Sequence, residues 1–228
     1  MVKGHGPGAR VGVVSDTHVG EVLPRMPPGV LAALEGSDLI IHAGDLSTAD
    51  ALGELRRLAP VVAVQGNHDR EGGLDLPGTA VVEVAGATIG VVHGDRPAPV
   101  EALGGAVSLA TGRGQTLGLT RQLMRRVGPV DVVVFGHLHE TFAQRIDGTL
   151  VFSPGAVCQP EIDPGFGWTG PIARALAAYR RRLPVERIRP TVGRLDIRDG
   201  RVRASWQALP EPILPSVRVS TRCHHPGE

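Results

Sequence analysis

The stretch "VVAVQGNHD", residues 61–69, runs from an apolar β-type segment straight into an amide, an imidazole and a carboxylate. Val61, Val62 and Val64 suit the interior of a sheet, where β-branched side chains pack well. Gly66, Asn67 and Asp69 are residues that tight turns prefer, so taken alone the segment reads first as an ordinary turn. The rest of the chain reverses that reading, because the same pattern recurs. "RVGVVSDTH" (10–18), "DLIIHAGD" (38–45), "TIGVVHGD" (88–95) and "VVVFGHLH" (132–139) are each apolar and then break into Asp or His.

Working outward from these runs gives the fold class. A short helix is expected near 29–35. "TADALGELRRLA" (48–59) is amphipathic, with Leu52, Leu55 and Leu58 on one face and Thr48 as N-cap. The order β-α-β-α-β over residues 10–65 implies a parallel sheet with helices packed on it. "AVVEVAGATIGVVHG" (80–94) then reads as an antiparallel hairpin, 131–136 as a further buried strand, and 141–155 and 191–206 as hairpins turning at Asp147-Gly148 and Asp199-Gly200. Helices are expected near 116–127 and 172–182. The class is therefore α/β, with two sheets of mixed strands, parallel in the middle and antiparallel outside, flanked by helices. One domain is expected over 10–207, with inserted loops near 96–129 and 159–190, a flexible N-terminus at 1–9 and a loosely attached tail at 208–228.

Bulk properties narrow the function. The 228 residues are 42% hydrophobic but only 3% aromatic, so the core must be built from Val, Leu, Ala and Ile. A net charge of +1 gives no electrostatic case for a large nucleic-acid or membrane surface. Cys158 and Cys223 form no CxxC pair, which argues against a disulfide framework and fits a reducing compartment. "MVKGHGPGAR" lacks the apolar core of a secretory signal, and no apolar run approaches the ~20 residues that span a bilayer. A soluble, cytoplasmic protein is expected. The Gly-rich stretch 104–118 lacks the Gly-Lys-Ser/Thr ending of a phosphate loop and is rejected as one.

Ligands of open α/β sheets bind beyond the carboxyl ends of the strands, so the five polar breaks should converge. Asp16, His18, Asp45, Asn67, His93, His137 and His139 form an oxygen and nitrogen donor set without thiolate. Imidazole suits Zn, Fe, Ni and Mn rather than purely hard ions. Six or seven donors exceed what one tetrahedral zinc needs and fit two ions sharing a bridge. Asp16/His18 and His137/His139 are i, i+2 pairs, which point to one side if strand geometry persists. His42, inside a strand and outside the series, is read as a structural histidine, Cys158 as a small buried residue and Asp95 as a turn residue.

Asp16-x-His18, Gly44-Asp45, Gly66-Asn67-His68-Asp69, His93-Gly94 and Gly136-His137-x-His139, in this order, resemble the calcineurin-like metallophosphoesterase superfamily. The "HGD" at 93–95, the "SPGAV" at 153–157 and the compact length resemble its small YfcE-like phosphodiesterase branch, to which Vps29 is related. The resemblance spans about residues 10–158 and resumes near 191–206. It implies a four-layer, two-sheet sandwich and a dinuclear phosphoesterase, diester-cleaving in preference to monoester-cleaving, acting on a small phosphoester substrate. It further implies two divalent transition-metal ions, Mn²⁺ first, with Ni²⁺, Zn²⁺ or Fe²⁺ as alternatives. Asp16, His18 and His139 would hold one ion, Asn67, His93 and His137 the other, and Asp45 would bridge them. A hydroxide shared by the ions would attack phosphorus, with His68 as general acid or transition-state stabiliser. Asp69 would lie behind the ligands. Arg70 and Arg96, beside the motifs, are candidate phosphate contacts. The resemblance also carries an alternative, a non-catalytic Vps29-like scaffold, which would have no need of His68. A nuclease ranks lower for want of a basic excess. An exposed edge strand leaves room for a homo-oligomer.

Overall fold

The computed structural model describes residues 8–71, 74–111, 118–159 and 178–210. β1 (Ala9–Val14), β2 (Leu39–His42) and β3 (Val61–Ala63) run parallel, connected by α1 (Pro28–Leu34) and α2 (Ala49–Arg56). β9 (Thr191–Arg198) returns antiparallel beside β1 and carries β10 (Arg201–Ala208) outside it, giving the order β10-β9-β1-β2-β3. The second sheet has the order β4-β5-β6-β8-β7, formed by β4 (Thr79–Val84), β5 (Ala87–Val92), β6 (Val132–Val134), β7 (Thr141–Ile146) and β8 (Thr149–Pro154). Its three middle strands are parallel and its two outer strands antiparallel, as expected. In the first sheet the parallel trio instead runs out to the β3 edge.

Period-two alternation builds the layers. Val11, Val13, Leu39 and Ile41 face Ile89, Val91, Val132 and Val134 across the space between the sheets. Val14 and Ile40 point the other way, onto Val30, Leu34, Leu52 and Leu55 of α1 and α2. On the far side Val92 and Val133 meet Leu119 and Leu123 of α5 (Leu119–Val127). The result is helix, sheet, sheet, helix, with the parallel strands buried on both faces except at the half-buried edge strand β3. Three hairpins turn on two residues of positive φ: Ala85-Gly86, Asp147-Gly148 and Asp199-Gly200, the geometry that matches the twist of the flanking strands.

Several expectations are corrected. Residues 98–111, within the segment read as an inserted loop, form a helix of 14 residues, α4 (Ala98–Thr111). Thr48 occupies the N-cap of α2, but its hydroxyl makes no capping bond. Leu58 lies beyond the end of α2 and is exposed rather than on its buried face. The last short helix, α6 (Val185–Ile188), follows a helical turn at 178–180, and most of the helix expected at 172–182 lies outside the described residues. So do residues 1–7 and the tail from 211, whereas Ala9 already opens β1. No helix among the described residues is long and apolar enough to cross a membrane.

Candidate metal centre

Every expected donor lies just past a strand. Asp16 and His18 follow β1, Asp45 follows β2, His93 follows β5, and His137 and His139 follow β6. Asn67 and His68 open the short helix α3 (Asn67–Glu71) after β3. Continued strand geometry is not what aims them. Past the strand ends φ becomes positive: 53° at Asp16, 48° at His18, 57° at Asp45, 70° at His137 and 54° at His139. A non-glycine residue in this region costs ~1–3 kcal/mol and persists only where its surroundings over-determine it. The i, i+2 argument thus reached the right convergence by the wrong geometry.

The surroundings that enforce these loops are mutual. The amides of Asp16 and Thr17 donate to the carbonyls of Gly44 and Asp45, both at 3.0 Å, and the Gly136 amide donates to the His93 carbonyl at 2.9 Å. The segment after "SPG" joins them, since the Cys158 amide donates to the Asp16 carbonyl at 3.0 Å. Two motif glycines are required by close approach: a Cβ at Gly66 would collide with the Asp45 carboxylate, and one at Gly136 with the Ser15 hydroxyl and Asp16. Asp69, fully buried, holds the bend around Asp45. Its Oδ2 accepts the amides of Asp45 (2.9 Å) and Gly66 (2.8 Å), and its Oδ1 those of Leu46 (2.8 Å) and Ser47 (2.7 Å). "GNHD" is therefore the start of α3 and a set of polar groups packed around Asp45 at once.

The donors come together in three overlapping groups. Asp16, His18 and His139 offer ligand atoms within 4.8 Å of one another, as do Asp45, His93 and His137, and also His18, Asp45 and His68. Asn67 joins the second group, its Oδ1 lying 3.2 Å from His93 Nε2. Within the groups the imidazoles and carboxylates lie in pairing distance of one another. His93 Nε2 lies 3.1 Å from Asp45 Oδ2, and His139 Nε2 lies 3.2 Å from Asp16 Oδ1. The buried Nδ1 of His139 finds no hydrogen-bond partner among the described residues. A largely buried set of carboxylate, amide and imidazole donors, with Asp45 and His18 each shared between two groups, fits divalent metal ions.

The electrostatics follow from burial opposed by pairing. Burial pushes Asp45 upward, but its bond to His93 leaves it below the ordinary carboxylate range. Burial likewise raises Asp16, and His139 beside it more than reverses that. Burial lowers His93, yet the hydrogen bond to Asp45 wins and carries it to about 9. His139 is lowered by burial. His42 is lowered by burial to about 4 and sits with Nε2 3.0 Å from Thr17 Oγ1, in keeping with its structural reading.

The two arginines among the weaker sequence candidates are paired with carboxylates. Arg70 pairs with Asp95, and Arg96 pairs with Glu101 at 3.1 and 3.2 Å with its side chain almost wholly buried. Three residues that the sequence reading missed lie against the site. Glu21 reaches His18 and His68, Glu101 of α4 lies 3.4 Å from His137 Nε2, and buried Arg180 donates to the carbonyl of Leu138 between the paired histidines at 3.1 Å. Glu21 stands three residues after His18, which was the one local signal available for any of them.

The comparisons agree with this geometry. Residues 10–169 match the Calcineurin-like phosphoesterase superfamily domain. A "Probable metallophosphoesterase" of Methanothermobacter thermautotrophicus is 33% identical over 179 residues, covering 78% of this chain and 91% of that protein. Another of the same description from Methanocaldococcus jannaschii is 37% identical, covering 66% of this chain and 69% of that one. A "Phosphodiesterase" of the same organism is 24% identical, covering 65% and 84%. Among solved structures, Vacuolar Protein Sorting 29 from Cryptosporidium parvum superposes with a TM-score of 0.58 at 16% identity, covering 88% of this chain and 97% of that one. A structure described as a novel archaeal phosphodiesterase gives 0.53 at 21% identity, covering 87% and 99%. The two five-stranded sheets, the donors gathered at their strand ends and these matches together place the chain in the calcineurin-like phosphoesterase superfamily.

Proposed function

We propose that the chain hydrolyses phosphodiesters at a dinuclear metal centre. Asp16, His18 and His139 would hold one divalent ion, Asn67, His93 and His137 the other, and Asp45 would bridge, with Mn²⁺ the first choice of metal. The observation that carries this reading is the overlap of the donor groups, in which Asp45 belongs to two of the three. When bound, such a pair of ions acidifies water and neutralises phosphate charge.

The protein's own residues do the rest. The Asp69 carboxylate fixes the backbone on both sides of Asp45, so the bridging carboxylate is held in place before any ligand arrives. The His68 amide donates to Asp45 Oδ1 at 2.9 Å and adds to that hold. Distance alone would admit His68 as a ligand, since it shares a group with His18 and Asp45. Its side chain is about a quarter exposed, as is that of His137, where His18 and His93 are fully buried, so it is open to substrate. His68 would hold a proton at the ring nitrogen facing the substrate and give it to the leaving oxygen. The preference for diesters rests on resemblance to the relatives named as phosphodiesterases.

The test is hydrolysis of bis(4-nitrophenyl) phosphate and of 4-nitrophenyl phosphate with Mn²⁺ and with chelator, beside Asp45→Asn and His68→Ala. Metal-dependent diester turnover, lowered ~100-fold or more in His68→Ala, is expected. A chain that binds two ions yet turns over neither ester would count for the scaffold alternative. A chain that binds no metal would end the proposal.

A further inference from the structure

We infer that Glu21 is a positioning residue that sets the ring orientation and tautomer of both His18 and His68, so that one carboxylate prepares a metal ligand and the proton donor together. This rests on the proposed roles of those two histidines. The geometry is specific to each oxygen. Glu21 Oε2 lies 3.1 Å from His18 Nδ1, and Glu21 Oε1 lies 2.9 Å from His68 Nδ1. The two rings meet edge to face with centroids 4.7 Å apart, so the carboxylate closes a compact triangle with them. The Ser47 hydroxyl donates to Oε2 at 3.2 Å, holding the carboxylate from a third side.

Local structure explains how Glu21 gets there. After His18 the chain turns back on itself, with the amides of Glu21, Val22 and Leu23 all donating to the His18 carbonyl at 3.3, 2.9 and 3.1 Å. Gly20, at φ 90°, takes the corner where a Cβ would strike the Thr48 methyl. The turn carries Glu21 over the imidazole three positions before it.

The chemical consequence follows from what an ionised carboxylate can do. It accepts hydrogen bonds and gives none, so both histidines must present Nδ1–H to it. For His18 this frees the Nε2 lone pair for a metal ion, the arrangement in which an outer carboxylate fixes a metal-binding imidazole. For His68 it keeps Nδ1–H on Glu21 while Nε2 takes up a second proton, so the acid is the imidazolium, and giving Nε2–H to the leaving oxygen returns the ring to its Nδ1–H form. Solvated neutral imidazole prefers the opposite tautomer, so the effect has a distinct spectroscopic signature.

The experiment compares the full chain with Glu21→Ala and Glu21→Gln. Long-range ¹H–¹⁵N correlation on the metal-free protein reads the tautomers, competition with a chelator reads Zn²⁺ affinity, and bis(4-nitrophenyl) phosphate hydrolysis reads kcat and KM. Wild type is expected to carry Nδ1–H on both rings. Glu21→Ala should lose that form on both and weaken Zn²⁺ binding about 10–100-fold. Glu21→Gln, whose amide oxygen can accept from one ring while its NH₂ cannot accept from the other, should lose it on one ring only. Where the wild type is active, kcat should fall about tenfold or more with KM nearly unchanged, since an acid acts in the transition state. Wild-type rings in the Nε2–H form, or variants that lose thermal stability while keeping tautomers and Zn²⁺ affinity, would overturn the inference. Tautomers that respond to Glu21 in a chain with no turnover would instead leave it standing and remove the hydrolytic proposal.

Discussion

At the scale of single residues the site depends on backbone that most side chains avoid, and Asp69 is the clearest point of failure. Each of its oxygens accepts two amides, those of Asp45, Leu46 and Gly66 buried and that of Ser47 partly so. Asp69→Asn keeps the shape but turns one oxygen into an NH₂ facing two N–H donors, whichever way the amide is flipped. Leaving such donors unmet costs ~1–3 kcal/mol each, so Asp69→Asn should destabilise by ~2–6 kcal/mol, and Asp69→Ala, which leaves all four donors without their acceptor, by at least as much. Urea denaturation in the presence of chelator measures this without any metal contribution. A loss below ~0.5 kcal/mol, the range of ordinary surface changes, would mean the bend around Asp45 stands without it. The convergence of Asp16, His18, Asp45, Asn67, His68, His93, His137 and His139 was legible in the sequence because each lies in a short motif at the end of an apolar run. Glu21, Glu101 and Arg180 were not, because each reaches the site from a turn or helix, and only Glu21, three residues after His18, had a local signal at all. Arg96 was suggested by adjacency to a motif, and its guanidinium pairs with Glu101 on α4, a partner that adjacency did not announce.

At the scale of elements, the strands and hairpins could be read because alternation and Asp-Gly turns are local signals. α4 could not, since Gly104 and Gly105 each lower helix propensity by ~1 kcal/mol relative to Ala. The structure gives Gly104 a reason: a Cβ there would come within 2.9 Å of the Arg96 guanidinium, so the helix accepts a poor former to let the Arg96–Glu101 pair lie against it. Glycines elsewhere divide by the same criterion. Gly90 on β5 faces α5, and a Cβ at that position would fall 2.7 Å from Val127 Cβ, a stiff β-branched neighbour. Gly53 within α2 has nothing within 4 Å of the corresponding point. Gly90→Ala should therefore destabilise by ~1–3 kcal/mol through overpacking. Gly53→Ala should stabilise by ~0.5–1 kcal/mol through helix propensity. Thermal denaturation of the two variants side by side tests the packing of α5 against the sheet. Equal effects would mean that α5 can withdraw from β5 without cost.

At the scale of the whole molecule, the donors are spread over strand ends of both sheets: β1, β2 and β3 of the first, β5 and β6 of the second. An ion bound among them would tie the two sheets together and would bind only the folded chain. At a free concentration 100 times its Kd, one such ion adds ~2.7 kcal/mol, which for a domain of this size raises Tm by roughly 5–10 °C. The increment should depend on pH, with a sign set by His93. Its pKa is raised to about 9, since the bond to Asp45 outweighs burial. In the metal-free protein that pairing contributes stability which is fully present below the ordinary histidine value near 6.5 and is lost as pH rises through about 9. A metal ion must displace the same proton, so below pH 9 its affinity should rise about tenfold per pH unit on account of His93. The difference in Tm between Mn²⁺-loaded and chelator-treated protein at one fixed Mn²⁺ concentration should accordingly grow from pH 6 to pH 8. Both samples at each pH share every titration that is independent of the metal, so the difference isolates the site. A difference that is absent, or that shrinks as pH rises, would mean either that no ion binds across the two sheets or that His93 keeps its proton when one does.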